Sequence, residues 1–206
     1  HWTYSTGDMS LKVGRQKFNL GDKRLVASLE WVNTARVHDG VRFTYKAKER
    51  TYDVFASTLV SVDPDEFNDQ STSGNRYFDS EFHGVFVSDK ALVPKHKLEY
   101  WWFYRGNDRG VFDDSIHTFG ARLVGKKDNW GWDIQGAWQT GDFYDVGRAI
   151  TLDHSAAMLH LSATYKLSAG ILGVGYNWGS GDDDPNDNDH GTFDNLYPLN
   201  LSLIHI

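Results

Sequence analysis

Residues 130–138 read Trp-Gly-Trp-Asp-Ile-Gln-Gly-Ala-Trp. Their even positions Trp130, Trp132, Ile134 and Trp138 are large and apolar, whereas the odd positions carry Gly131, Asp133, Gln135 and Ala137. A strand turns successive side chains to opposite faces, so this period of two describes one apolar and one polar side. The pattern recurs in both directions along the chain. In 156–167, Ala157, Leu159, Leu161, Ala163, Tyr165 and Leu167 oppose Met158, His160, Ser162, Thr164 and Lys166. In 171–178 the apolar set is Leu172, Val174, Tyr176 and Trp178. In 36–48, Val37, Val41, Phe43, Tyr45 and Ala47 oppose Arg36, His38, Arg42, Thr44, Lys46 and Lys48, with Asp39 the one charge on the apolar side. The contrast is weaker in 52–62, and further strands are expected at 10–20, 82–92, 97–105 and 115–125, roughly nine in all.

The connections sort into two kinds. Tight turns at Glu49-Arg50, Lys126-Lys127 and Ala169-Gly170 place Ala47 opposite Tyr52, Leu123 opposite Trp130 and Leu167 opposite Leu172, so each hairpin keeps its apolar residues on one side. The turn near Pro94-Lys95-His96 is ambiguous, because neither face of 82–92 is cleanly apolar. The alternate connections, 21–35, 63–80, 106–114, 140–153 and 179 onwards, are longer and polar. Short turns at one end and long loops at the other define an all-β, antiparallel up-and-down transmembrane β-barrel, here an incomplete one.

Composition agrees. The 206 residues include 8 Trp, 10 Tyr and 12 Phe, with 20 Gly and no Cys. No run approaches the roughly 18 apolar residues that a membrane-crossing helix needs, and mean hydropathy is −0.53. A barrel tolerates that value because only every second residue of its strands is apolar. The net charge of −7 argues against nucleic acid as a partner. Residues 1–200 are expected to form the barrel segment, preceded by a targeting signal that is removed or lies outside the chain. The tail Leu201-Ser202-Leu203-Ile204-His205-Ile206 resembles a translated sequencing adapter, so 201–206 are expected to be non-native.

Arginines inside strands must face away from lipid, where one would cost about 2–4 kcal/mol. Arg42 shares its face with Arg36, His38 and Lys46, and Arg122 alternates with Ala121 and Leu123. The expected pore-lining and substrate-contacting set is Arg15, Arg36, Arg42, Lys46, Arg122, Asp133, Gln135 and His160. Lys12, Lys97, Arg105 and Lys166 add to a basic lumen that would select anions. The same charges could instead pair with Asp53, Glu99, Asp133 and Asp153 and fill the lumen. Trp101, Trp102, Phe103 and Tyr104, like Trp130 and Trp132, are expected in interfacial aromatic girdles. The acidic run Asp182 to Asp189 lacks the Gly and Glu that an EF-hand loop places at its sixth and twelfth positions, and reads as a solvated loop. No nucleophile elbow, metal-binding helix motif or phosphate loop occurs, so no catalytic, metal or cofactor site is expected.

Two blocks carry a family resemblance. Val13-Gly14-Arg15-Gln16, Gly21-Asp22, Arg24-Leu25, Trp31, Arg36 and Asp39-Gly40-Val41-Arg42 form the first. The second is Ser180-Gly181-Asp182, Gly191-Thr192-Phe193-Asp194 and Leu196-Tyr197-Pro198. Together they resemble the alginate export outer-membrane proteins over most of 10–200. The resemblance implies a monomeric Gram-negative outer-membrane barrel of about 18 strands. It also implies a basic constriction passing a uronic-acid polysaccharide, with Arg15, Arg36 and Arg42 as candidate ligands. Members are roughly twice this length, so the chain would supply about half of such a barrel. Two other classes stay open: a soluble β-barrel or sandwich that binds a glycan or other ligand, with its apolar face inward, and an outer-membrane enzyme with a site at the rim.

Overall fold

The computed structural model describes residues 1–30, 35–60, 80–108 and 113–199. They form one antiparallel sheet of β1 (Trp2–Thr6), β2 (Met9–Gln16), β3 (His38–Ala47), β4 (Arg50–Leu59), β5 (Ser80–Asp89), β6 (His96–Asp108), β7 (Asp113–Lys127), β8 (Trp130–Asp145), β9 (Ile150–Lys166) and β10 (Ile171–Gly179). Each strand pairs only with its neighbours in sequence, and a two-residue β11 (Asp189–His190) adds in parallel to β9. This is the up-and-down order expected. The count exceeds the expected nine because β1, a short hairpin arm turning at Gly7 with φ 52°, carries only a brief alternation of Trp2 and Tyr4.

The sheet does not close, and β1 and β10 keep unpaired edges. The loop 63–80 falls almost wholly outside the described residues. The expected long connection 140–153 is a correction: β8 and β9 continue their pairing to Asp145 and Ile150, leaving only 146–149 as a turn.

Register differs from the expected hairpins by small slips. Ala47 faces Arg50 rather than Tyr52, Leu123 faces Ile134 rather than Trp130, and Leu172 faces Tyr165 rather than Leu167. Every slip is an even number of residues, so no side chain changes face.

One face of the wall is apolar and bare. Leu11, Phe43, Val54, Val85, Trp102, Phe119, Trp138 and Ala157 follow one another across β2 to β9 in register. Phe43, Val54, Phe119 and Trp138 in that row are exposed, as are Val41, Tyr100, Ile134 and Leu161 in adjoining rows. A water-soluble monomer rarely exposes more than a few hundred square ångströms of continuous apolar surface, whereas a lipid-facing wall requires it.

The opposite, inner face is covered. Two segments, 17–30 between β2 and β3 and 191–199 after β10, lie across it as straps. Phe18, Leu20, Leu25 and Val26 of the first and Phe193, Leu196 and Tyr197 of the second pack on Phe55, Phe82, Phe86, Trp101 and Phe103 of the wall. The rings interlock, Phe18 against Phe55 at 4.7 Å and Phe82 against Tyr197 at 4.9 Å between centroids. Gly84 and Gly120 permit this closeness, since a Cβ at Gly84 would meet the Phe103 ring at 2.7 Å and one at Gly120 the Trp101 indole at 2.3 Å. Trp101 and Phe103 are thus inner-core residues and correct the expected girdle, in which only Trp102 and Tyr104 of that run face outward. Under the straps Phe82, Gly84 and Phe86 face inward, with Val85 and Val87 outward, which settles the ambiguous faces of 82–92.

The bare band predicts a sided cost of charge. In the full-length protein, Val54→Arg on the outer face should lower folding stability in lipid vesicles by about 2–4 kcal/mol. Ser57→Ala on the inner face, which loses one bond to the Phe82 carbonyl, should cost nearer 1 kcal/mol. Equal tolerance of both substitutions in urea titrations would contradict a lipid-facing band.

Candidate functional site

Strand register lines up polar residues that are far apart in sequence. On the inner face Glu99 stands opposite Arg122, Arg122 opposite Gln135, Gln135 opposite His160, and His160 opposite Asn177. Arg122 holds both oxygens of Asp133 through Nε at 2.8 Å and Nη2 at 2.5 Å, and donates from Nη1 to Glu99 at 2.9 Å. The other Glu99 oxygen takes Lys97. Asp22 of the first strap approaches Arg122 at 3.9 Å and accepts from Arg24 Nε at 3.2 Å. Arg24 then donates to Asn177 Oδ1 at 3.0 Å, the same atom that lies 2.6 Å from His160 Nδ1.

A second group forms nearer the N-terminal strands, where Arg42 donates to Asp53 at 2.9 Å and Thr44 Oγ1 donates to the same oxygen at 2.5 Å. Glu99 and Asp53 are 1% and 5% exposed. A polar group so enclosed has to be met by opposite charge and hydrogen-bond donors, which is what fixes these arginines in place. Lys12, Lys46 and Lys166 face the same way and join no ion pair among the described residues.

Arg42, Arg122, Asp133, Gln135 and His160 therefore lie together on the inner wall, with Lys46 on the same face toward the short turns. Arg36 donates to the Ala27 carbonyl at 3.1 Å and sits 5.3 Å above the Tyr197 ring, so it clamps the two straps. Arg15 is a correction. Register sets it opposite Asp39, in phase with Leu11 and Val13 on the outer face, and its guanidinium grips Asp39 at 2.9 and 3.0 Å. That pair neutralises the one charge on the apolar side of 36–48, at the end of the wall that bears the long connections. Asp153 likewise sits between inward Leu152 and His154, is exposed, and pairs with none of the inner cations.

Asp22, Arg24 and Asp194 escape a reading by periodicity because they lie in straps. Asp194 accepts from Arg105 Nη1 at 2.8 Å, and its peptide is held by the Gln139 side chain through two bonds of 2.8 Å. Ser180 Oγ donates to the Gly191 carbonyl at 2.7 Å and accepts the Ala157 amide at 2.9 Å. The second block quoted above is therefore a strap with its anchors. Tyr197 completes it, its hydroxyl 2.9 Å from Ser80 Oγ, and burial pushes that phenol above its ordinary pKa. No group of three or more metal-ligating side chains converges among the described residues.

A barrel wall with a bare apolar exterior and a charged, ion-paired interior is the architecture of an outer-membrane porin. The family model for alginate export matches residues 2–201, and the chain belongs to the alginate export family, a family of outer-membrane transport porins rather than enzymes. No curated protein matches the chain.

The network makes Arg122 the costliest cation to remove. Arg122→Ala strands Glu99 and Asp133 and should destabilise the full-length protein by about 3–5 kcal/mol. Arg15→Ala, on an exposed pair, should cost under about 1 kcal/mol. Similar midpoints for the two variants in denaturant would refute the ranking.

Proposed function

We propose that the chain forms part of the wall of a monomeric outer-membrane channel for the passive passage of an anionic polysaccharide, alginate-like in carrying one carboxylate per sugar. The observation that carries this is the two-sidedness of the wall: uninterrupted apolar rows outside, and inside a file of Arg, Lys, Gln, His and carboxylate side chains. The family supplies the transport role. The free edges of β1 and β10 cannot lie in hydrocarbon, which leaves unpaired backbone groups there at a cost of several kcal/mol each. Further strands of the full-length protein are the fitting partners.

The inner charges suit a carboxylate polymer in a particular way. Arg42 and Arg122 already hold carboxylates and act as part of a neutral scaffold, so positive potential comes from Lys12, Lys46 and Lys166 beside them. Pairing that is already satisfied keeps the polymer from binding so tightly that it cannot leave, which conduction requires. A soluble glycan-binding module would turn the apolar face inward and leave a polar exterior, the reverse of what the outer rows display.

In planar bilayers the full-length protein should carry an anion-selective current that oligouronate blocks and a neutral oligosaccharide of equal length does not. Lys12→Gln with Lys46→Gln should lower the anion preference without loss of the barrel. A cation-selective current indifferent to oligouronate would overturn the assignment.

A further inference from the structure

Arg42 and Arg122 take their carboxylates from neighbouring strands, Asp53 and both Glu99 and Asp133. Arg105 does not. Its directly opposite neighbours on the inner face are Phe82 and Ile116, each 0% exposed, so neither facing position carries an anion. Its carboxylate is Asp194, carried on the second strap. The grip is partial: Asp194 meets Nη1 alone, its other oxygen caps the Leu196 amide at 2.6 Å, and Arg105 Nε is buried with no partner. A guanidinium presents a fork shaped for both oxygens of one carboxylate, and here half of that fork is unused.

We propose that Arg105 is a binding position for a sugar carboxylate, and that Asp194 occupies it in the closed lumen as a built-in substitute ligand. This rests on the reading of the chain as a conduit for a polyuronate. A polymer carboxylate that engages Nε and an Nη together replaces one partial contact by a bidentate one. Asp194 is then released, and with it the strap that also seals Tyr197 over Phe82 and His38. The polymer thus binds the open form better than the closed form, and only such a difference in affinity shifts the balance toward opening. Leu196 supports this, since its φ of 55° lies in the left-handed region that an L residue with a side chain adopts only at a cost. The strap is held under load by the contacts around it.

Asp194→Asn keeps the backbone hydrogen bonds to the Gln139 side chain and removes the charged substitute ligand. In planar bilayers the full-length variant should pass more current than wild type without oligouronate, and its half-blocking oligouronate concentration should fall by about tenfold as the closed form no longer competes. Adding Arg105→Gln to that variant should raise the concentration again while leaving the high basal current. An unchanged half-blocking concentration in Asp194→Asn would overturn the proposal. A second measurement needs no variant: hydrogen exchange of the wild-type protein in vesicles. The amides of Asp194, Leu196 and Tyr197 are bonded to Gln139, Asp194 and Leu25, so oligouronate, and not a neutral oligosaccharide, should speed their exchange. Slower or unaltered exchange in the presence of blocking oligouronate would overturn the substitute-ligand idea alone. A wild-type channel that oligouronate never blocks would overturn the polyuronate reading and this proposal with it.

Discussion

In hydrocarbon a strand can carry charge on one side only, and the whole of this wall is arranged around that constraint. Because pleating sends neighbours to opposite faces, an inward Arg122 requires an outward Ala121 and Leu123, and an inward Asp133 requires Trp132 and Ile134 beside it. The alternation fixes register, since a slip by one residue would put Arg42, Arg122, Asp53 and Glu99 into lipid together. The cost of each such charge, a few kcal/mol, adds over the wall to far more than a domain's net stability.

Once the charges are inside they have to be satisfied there. Arg122 between Glu99 and Asp133, and Arg42 beside Asp53, tie adjacent strands across the sheet. Between these polar groups lies an apolar patch of Phe55, Phe82, Phe86, Trp101 and Phe103, which would be wet in an empty lumen. The straps 17–30 and 191–199 cover it. They pair with each other where the Ala27 amide donates to the Tyr197 carbonyl at 2.7 Å and the Tyr197 amide donates to the Leu25 carbonyl at 2.9 Å. Interior packing and interior charge thus depend on the same two segments, and any route for a polymer past this wall must move them or pass beside them.

The faces of 36–48, 130–138 and 156–167 are legible in the sequence because pleat parity needs no tertiary information, and because hairpin slips of two or four residues leave parity intact. The straps are not legible. Phe18, Leu25, Phe193 and Tyr197 sit in segments with no period, and only three-dimensional packing shows that they turn back over the sheet. That omission misplaces Trp101 and Phe103: aromatic residues occupy both faces of 97–105, and without the straps an inward aromatic has nothing to pack on. Arg15 is misplaced for another reason. It falls in a motif beside lumen arginines, but its phase with Leu11 and Val13 already set it on the opposite face, and its register with Asp39 explains the lone acid on the apolar side of β3.

The sidedness of the wall in a membrane can be read directly along β4, because the 206 residues contain no cysteine and single labels can be placed there. The full-length protein in vesicles, labelled with a fluorophore in turn at residues 52 to 58, is read against brominated lipid and against a water-soluble quencher. Quenching should alternate strictly, with lipid quenching at Tyr52, Val54 and Ala56 and none at Asp53, Phe55 and Ser57. Uniform quenching along β4, or alternation of the opposite phase, would contradict that sidedness.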